Sequence, residues 1–362
     1  MEKENSNKTN ENYKNMVDCY YLLLRKFKKK SSYIVDEFLI KENKDSDGVL
    51  TIYEDVNTDS FYFLILSMID SNYDKINILN VQNGNNIIKA LCFYMDNIKI
   101  NEILKKNTKN IRKKNFNIEN NNNNITIKKK EMEEKRKRKE ENIEIIKKTS
   151  CNINSLSIFN SNIDLNGIIL LSKSLYDNSY SKLENLSIDC TPLTFDCIKY
   201  LSMSLCNYNN LKNLSFQYCN LKNDSIKYII DIIIYLNSSL STLNLCGNAF
   251  TSEGMSKLFE SFLLNQSLIN IDVSYNMFNL DNLFTETFCK IIISETRISN
   301  IALIGNFIEK YNMCKINEAM NYNKNISILK LPQDVDNEIL KEINMKLIKK
   351  KRKKKKKEKG NT

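Results

Sequence analysis

The side chains in this chain that could do chemistry are ten cysteines and 43 carboxylates, and histidine is absent. Without imidazole there is no Ser-His-Asp triad, Cys-His pair, HExxH zinc site or proton shuttle near neutral pH. The cysteines stand at 19, 92, 151, 190, 197, 206, 219, 246, 289 and 314, with no CxxC pair. Cys190, Cys197 and Cys206 lie near one another, but spacings of 7 and 9 suit no zinc pattern. The seven glycines are isolated, so no phosphate-cradling loop is available, and the carboxylates occur as single charges. No catalytic residue, metal or cofactor is expected.

The elements that would position such side chains repeat along the chain. Six segments carry apolar residues at positions 1, 4, 6 and 11 and a small polar residue at 9. They read INSLSIFNSNI (153–163), LENLSIDCTPL (183–193), LKNLSFQYCNL (211–221), LSTLNLCGNAF (240–250), LINIDVSYNMF (268–278) and ISNIALIGNFI (298–308). A degraded seventh, ISILKLPQDV, starts at Ile326, and the starts fall 30, 28, 29, 28, 30 and 28 residues apart. Positions 4 and 6 give the period-2 alternation of a short strand with one buried face. Position 9 is Ser161, Thr191, Cys219, Asn248, Asn276 or Asn306. As the chain leaves the strand its backbone groups turn inward, and asparagine offers two donors and an acceptor to meet them. Between strands the period becomes helical. Ile226, Ile229, Ile230, Ile233 and Ile234 share one spacing, repeated by Met255, Leu258, Phe259, Phe262 and Leu263. N-caps are expected at Asn223 or Asp224 and at Thr251 or Ser252.

This pattern resembles the leucine-rich-repeat signature, and its 28–30-residue period is similar to that of the ribonuclease-inhibitor-like subfamily. The likeness covers about half the chain. It implies an α/β solenoid, a horseshoe with parallel strands on the concave face and helices on the convex face. It also implies a non-catalytic protein-binding scaffold, since such repeats commonly bind proteins along the strands. The same subtype occurs in Ran GTPase-activating proteins, and related repeats occur in actin-capping and dynein-regulatory proteins. A regulator of a Ran-like small GTPase and a cytoskeletal or axonemal component are therefore the alternatives. The basic carboxy-terminal end departs from the acidic tail typical of the Ran activators.

Residues 149–345 form the main array. Upstream, Ile76, Leu79 and Val81 fit positions 1, 4 and 6, and Leu50 and Ile52 stand 29 residues before Leu79 and Val81. Residues 47–104 are read as two atypical repeats, with a helical run from Ile87 to Leu104. Residues 1–46 are a polar start followed by a helical cap. Residues 105–148 carry 16 Lys/Arg against 7 Asp/Glu and a run of five asparagines. So polar a stretch cannot offset its ordering entropy, so its first half is expected to be disordered. The Lys/Glu half is expected to be a solvated single helix, without the apolar heptads of a coiled coil. Residues 346–362 read as a disordered Lys-rich tail, a nuclear-import candidate with weak polyanion contact. The repeats themselves are acidic: residues 151–340 hold 13 Lys/Arg against 18 Asp/Glu.

Odd strand positions 3, 5 and 7 should line the concave face, with position 8 at the strand ends. A partner bound there would use Phe159, Asp189, Gln217, Tyr218, Asp272 and Tyr275, because aromatic side chains dominate interface energetics. With no apolar run long enough to span a bilayer and thiols expected free, a monomer of the cytoplasm or nucleus with a protein partner is expected.

Overall fold

The computed structural model describes residues 17, 18, 20–25, 27, 29, 30, 35, 48–53, 55, 56, 58–67, 74–95, 153–177, 182–206, 208, 210–236, 239–332 and 336–359. Of residues 351–359 only the helical backbone is described. The readings of 105–148, of residues 1–16 and of the helix beyond 95 lie outside these residues. The chain divides into two compact units. One holds residues 1–48, 56–74 and 86–152, and the other Val49–Asp55, Lys75–Asn85 and Ile153–Thr362.

In the first unit, helix α1 (Thr58–Ser67) buries Phe61, Phe63, Leu64 and Ile65. The Phe27 ring stacks on Phe63 with centroids 5.3 Å apart, and Lys29 pairs with Asp59 at 2.6 Å.

The second unit is a leucine-rich-repeat solenoid. Its strands are β1 (Val49–Ile52), β2 (Lys75–Leu79), β3 (Ser155–Phe159), β4 (Asn185–Asp189), β5 (Asn213–Ser215), β6 (Thr242–Asn244), β7 (Asn270–Asp272), β8 (Asn300–Ala302) and β9 (Ile328–Lys330). All nine lie in sequence order in one parallel sheet. Leu156, Leu186, Leu214, Leu243, Ile271, Ile301 and Leu329 align across β3 to β9, and all are buried. Each repeat then continues into a helix: α2 (Leu165–Asp177), α3 (Phe195–Leu205), α4 (Ile226–Tyr235), α5 (Ser252–Phe262), α6 (Asn282–Ile293) or α7 (Lys310–Ala319). These helices fill the other side of the core. Phe284 meets Phe259 at 4.8 Å and Phe278 at 5.0 Å between ring centroids. None of the described helices is long and apolar enough to cross a membrane.

Position 9 makes a ladder that crosses repeat boundaries. Asn248 Oδ1 accepts the backbone N–H groups of Cys219 (3.1 Å) and Leu221 (3.0 Å), while its Nδ2 donates to the Phe216 (2.7 Å) and Leu245 (2.9 Å) carbonyls. Asn306 accepts from Asn276 N at 3.1 Å and donates to Val273 and Leu303, each at 3.0 Å. Thr191 accepts from Ser161 N at 3.3 Å, and Ser161 from Val81 N at 3.2 Å. The Cys219 thiol lies 2.9 Å from the Ile188 carbonyl and 3.3 Å from that of Gln217, a weaker donor and acceptor than asparagine at the same place.

Three sequence readings change. In the upstream repeats the strand positions are Ile76 and Ile78, paired with Leu156 and Ile158, and Leu50 and Ile52 stand 26 residues before them. Val81 occupies the ladder position instead. The alternation Ile76, Ile78 was masked by the overlapping pair Leu79 and Val81, which satisfies the same spacing. Second, neither Asn223 nor Asp224 caps α4, because a 3-10 turn at Asn223–Ser225 precedes Ile226. Asn223 reaches forward instead, where its Oδ1 accepts from Thr251 N at 2.9 Å and its amide donates to the Thr251 hydroxyl. Third, helix α8 (Asn337–Lys359) runs through the stretch read as a disordered tail. It buries Ile343 and Leu347, and Lys346 Nζ donates to the Asn317 carbonyl at 2.6 Å. Lysine and arginine are good helix formers and no Gly or Pro interrupts before Gly360, so the docked first turns propagate.

Replacing Asn248 by Ala leaves two inward backbone donors without acceptors in a dry interior. The expected loss of unfolding free energy is about 3 kcal/mol, read from the denaturation midpoint at constant m-value. A loss under about 1 kcal/mol would mean the ladder is not what holds neighbouring repeats.

Candidate functional site

The residues between the ladder and the strands are the ones the solenoid presents outward. Position 8, just past each strand, is left-handed in every repeat from β2 to β8. Its φ is 56° at Asn80, 45° at Asn160, 51° at Cys190, 54° at Tyr218, 71° at Gly247, 55° at Tyr275 and 71° at Gly305. The turn that sends position 9 inward requires this. Glycine and asparagine take such a φ readily, and a bulky aromatic does so at a cost.

Tyr218 and Tyr275 therefore sit where an aromatic is unfavourable, and both side chains are about half exposed, at 49% and 50%. Each ring lies over the glycine at position 8 of the next repeat. A Cβ on Gly247 would come within 2.2 Å of Tyr218 Cδ1, and one on Gly305 within 2.3 Å of Tyr275 Cδ1. The Tyr218 hydroxyl bonds the Cys246 thiol, which with partial burial pushes the phenol up from its ordinary value. Burial raises the Cys246 thiol, and the carboxylates of Asp272 and Asp189 add to that while the Tyr218 bond opposes it. Phe159, at position 7 of β3, is 38% exposed. Exposed rings thus stand on β3 and just past β5 and β7, every second strand.

Asp189 is placed differently from what its residue type suggests. It is buried, at 6% exposure. Its carboxylate accepts from the Ser187 hydroxyl, from Ser215 Oγ at 2.7 Å, and from Gln217 N and Nε2 at 2.9 and 3.1 Å. Four donors fill the sites a carboxylate offers. Asp189 therefore orients Gln217, whose Oε1 accepts from Asn244 Nδ2 at 3.3 Å. Asp272, half-buried on β7, receives Ser274 N on Oδ1 at 2.9 Å. Asn270 Nδ2 donates to Thr242 Oγ1 at 3.1 Å along position 3, and Asn213 to Asn185 and Asn300 to Asn270 do likewise. The strand-lined face is thus a hydrogen-bonded polar floor with rings rising along one edge.

No family model matches the chain, and no curated protein matches it. Among solved structures the chain is similar to the tropomodulin C-terminal domain of Caenorhabditis elegans. The identity is 16%, the match covers 55% of this chain and 99% of that one, and the TM-score is 0.36. The fold assignment rests on the strand register described above and not on that likeness.

Of the six residues singled out from sequence, Tyr218, Tyr275 and Phe159 form the exposed row, and Gln217 and Asp272 lie half-buried on the floor. Ser187, Ser215, Gly247 and Gly305 escaped sequence reasoning. The signal for the two glycines was the alternation Tyr, Gly, Tyr, Gly at position 8, whereas Ser187 and Ser215, at position 5, carried none beyond their place on the strand-lined face. Every described cysteine is a free thiol, and among the described residues no three cysteine or acidic side chains gather as a metal site would require.

Burial pushes Cys219 up to about 12 and Cys289 up to about 11. At pH 8 only roughly one Cys219 thiol in ten thousand is then ionised, so alkylation of the native protein should spare it while exposed Cys314 reacts. Peptide mapping by mass spectrometry reads the order, and labelling of Cys219 before unfolding would contradict it. Asp189→Ala should cost about 3 kcal/mol of unfolding free energy and Asp272→Ala less than about 1 kcal/mol, as measured in denaturant. Equal losses would contradict the separate roles given to the two carboxylates.

Proposed function

We propose that the repeat body is a non-catalytic scaffold that binds another polypeptide along its strand-lined face. The observation that carries this reading is the row of exposed rings at Phe159, Tyr218 and Tyr275 on an otherwise small, polar surface. Non-glycine residues in the left-handed region are held there by the surrounding fold at a cost of order 1 kcal/mol or more, and such strain collects at functional sites. Asparagine would serve the turn at Tyr218 and Tyr275 with less strain, as it does at Asn80 and Asn160. Tyrosine adds what asparagine lacks: a large amphipathic surface that loses little entropy on binding. Gln217 and Asp272 supply polar contacts, and Asp189 holds Gln217 in place. Binding energy in such a patch concentrates in the few aromatic anchors.

A photo-crosslinking residue placed at 218 or 275 in the full-length protein tests this. Tyr235 and Tyr311, at 62% and 63% exposure on the helical side, are the control positions. Light-dependent protein adducts should form from 218 and 275 in excess of those from 235 and 311. Equal or greater yield from the helical positions would place binding elsewhere.

A further inference from the structure

Resting on that reading, we propose that the ring row takes a proline-rich, basic segment in the polyproline II conformation, laid across the strands with a cation over β7. Tyr218 and Tyr275 follow β5 and β7, so two strand spacings separate them, about 10 Å. A polyproline II helix turns once in three residues and rises about 9 Å in doing so. Residues i and i+3 of such a segment meet the two tyrosine rings, and Phe159 stands exposed two strands further along the sheet, one chain position earlier in its repeat. An extended β-strand ligand repeats every two residues at roughly 7 Å and falls out of step after one ring.

The rings suit this occupant. Each is bedded on a glycine and half exposed, so it is a fixed platform and not a mobile side chain. Aromatic-lined surfaces recognise polyproline II segments because the ligand is already ordered before it binds. The floor beside the rings carries side-chain donors and acceptors at Gln217 and Asn244 that suit the bare backbone of such a helix.

Charge complementarity gives the ligand its sign. Among the described residues on the floor from β5 to β7, Asp272 is the charged side chain, and Asp189, three strands away on β4, is buried and saturated with donors. Both carboxylates act on Cys246, which places their fields at the foot of the Tyr218 ring. An arginine or lysine of the ligand stacked on Tyr275 would meet Asp272. Lys330 on β9 repels such a charge and sets that end of the row apart.

The test uses the full-length protein and two labelled nonapeptides of equal charge, followed by fluorescence anisotropy. One has prolines three apart and a single arginine, and the other has alanine in place of each proline. The proline peptide should bind at least about tenfold tighter, which corresponds to 1.4 kcal/mol. Tyr218→Asn combined with Tyr275→Asn keeps a residue suited to the left-handed turn and should abolish the preference. Asp272→Asn should weaken binding several-fold and flatten its salt dependence. Equal affinity for the two peptides, no binding at millimolar protein, or a preference that survives the tyrosine changes would each overturn the proposal. Binding of either peptide that is lost only with the tyrosines would leave the broader reading standing, and the crosslinking yields decide that reading independently.

Discussion

Where each strand ends, the chain must turn, and in a stacked solenoid the turn lies between two neighbours with no water to receive its backbone groups. A buried amide or carbonyl without a partner costs more than a hydrogen bond returns, so this junction constrains everything built on it. Asn248 answers it with two acceptances and two donations, all to backbone, and ties its own repeat to the preceding one. Going towards the amino end, the same position passes through Cys219, Thr191 and Ser161, each offering less than asparagine, to Val81, whose side chain offers no bond. The apolar rows on the strands supply most of the burial, but they would tolerate a sliding register. The ladder does not, because a slip by one residue orphans donors in two repeats at once.

The ladder also dictates the conformation of the residue before it. For position 9 to point inward, position 8 must be left-handed, and all seven repeats from β2 to β8 obey this. Position 8 is thus the one place where the fold pushes a side chain outward at the strand edge, and where the residue type reveals a competing demand. Asparagine and glycine there satisfy the turn alone. Tyr218 and Tyr275 take the same turn at a cost that asparagine or glycine would avoid.

Much of this was legible in the sequence. The six-fold recurrence of apolar positions 1, 4, 6 and 11 placed β3 to β8 and their helices, because a short buried strand and an amphipathic helix leave different periods. The upstream repeats were harder: Ile76, Ile78, Leu79 and Val81 allow two registers, and the valine hides the polar ladder mark that would have chosen between them. Lys346 to Lys359 reads as solvated charge, and its helical state comes from Ile343 and Leu347 anchoring the preceding turns. At the site, residue type found the rings but could not separate Asp189 from Asp272. Both are lone aspartates on strand positions of odd number. What distinguishes them is three-dimensional: Ser187, Ser215 and Gln217 converge on Asp189, and two of those three come from the neighbouring repeat.

The spacing of the rings follows from steric exclusion. A tyrosine at position 8 tips its ring onto the same position of the next repeat, within 2.2 to 2.3 Å of where a Cβ would stand. The next repeat must therefore carry glycine, and a glycine has no ring to offer. Two aromatic platforms in consecutive repeats are mutually exclusive, so the shortest possible aromatic period along this edge is two strands. Any ligand that reads more than one platform inherits that period of about 10 Å, which a β-strand misses and a three-residue helical turn matches. The same turn that lets asparagine lock the repeats together thus sets the stride of what can bind beside them.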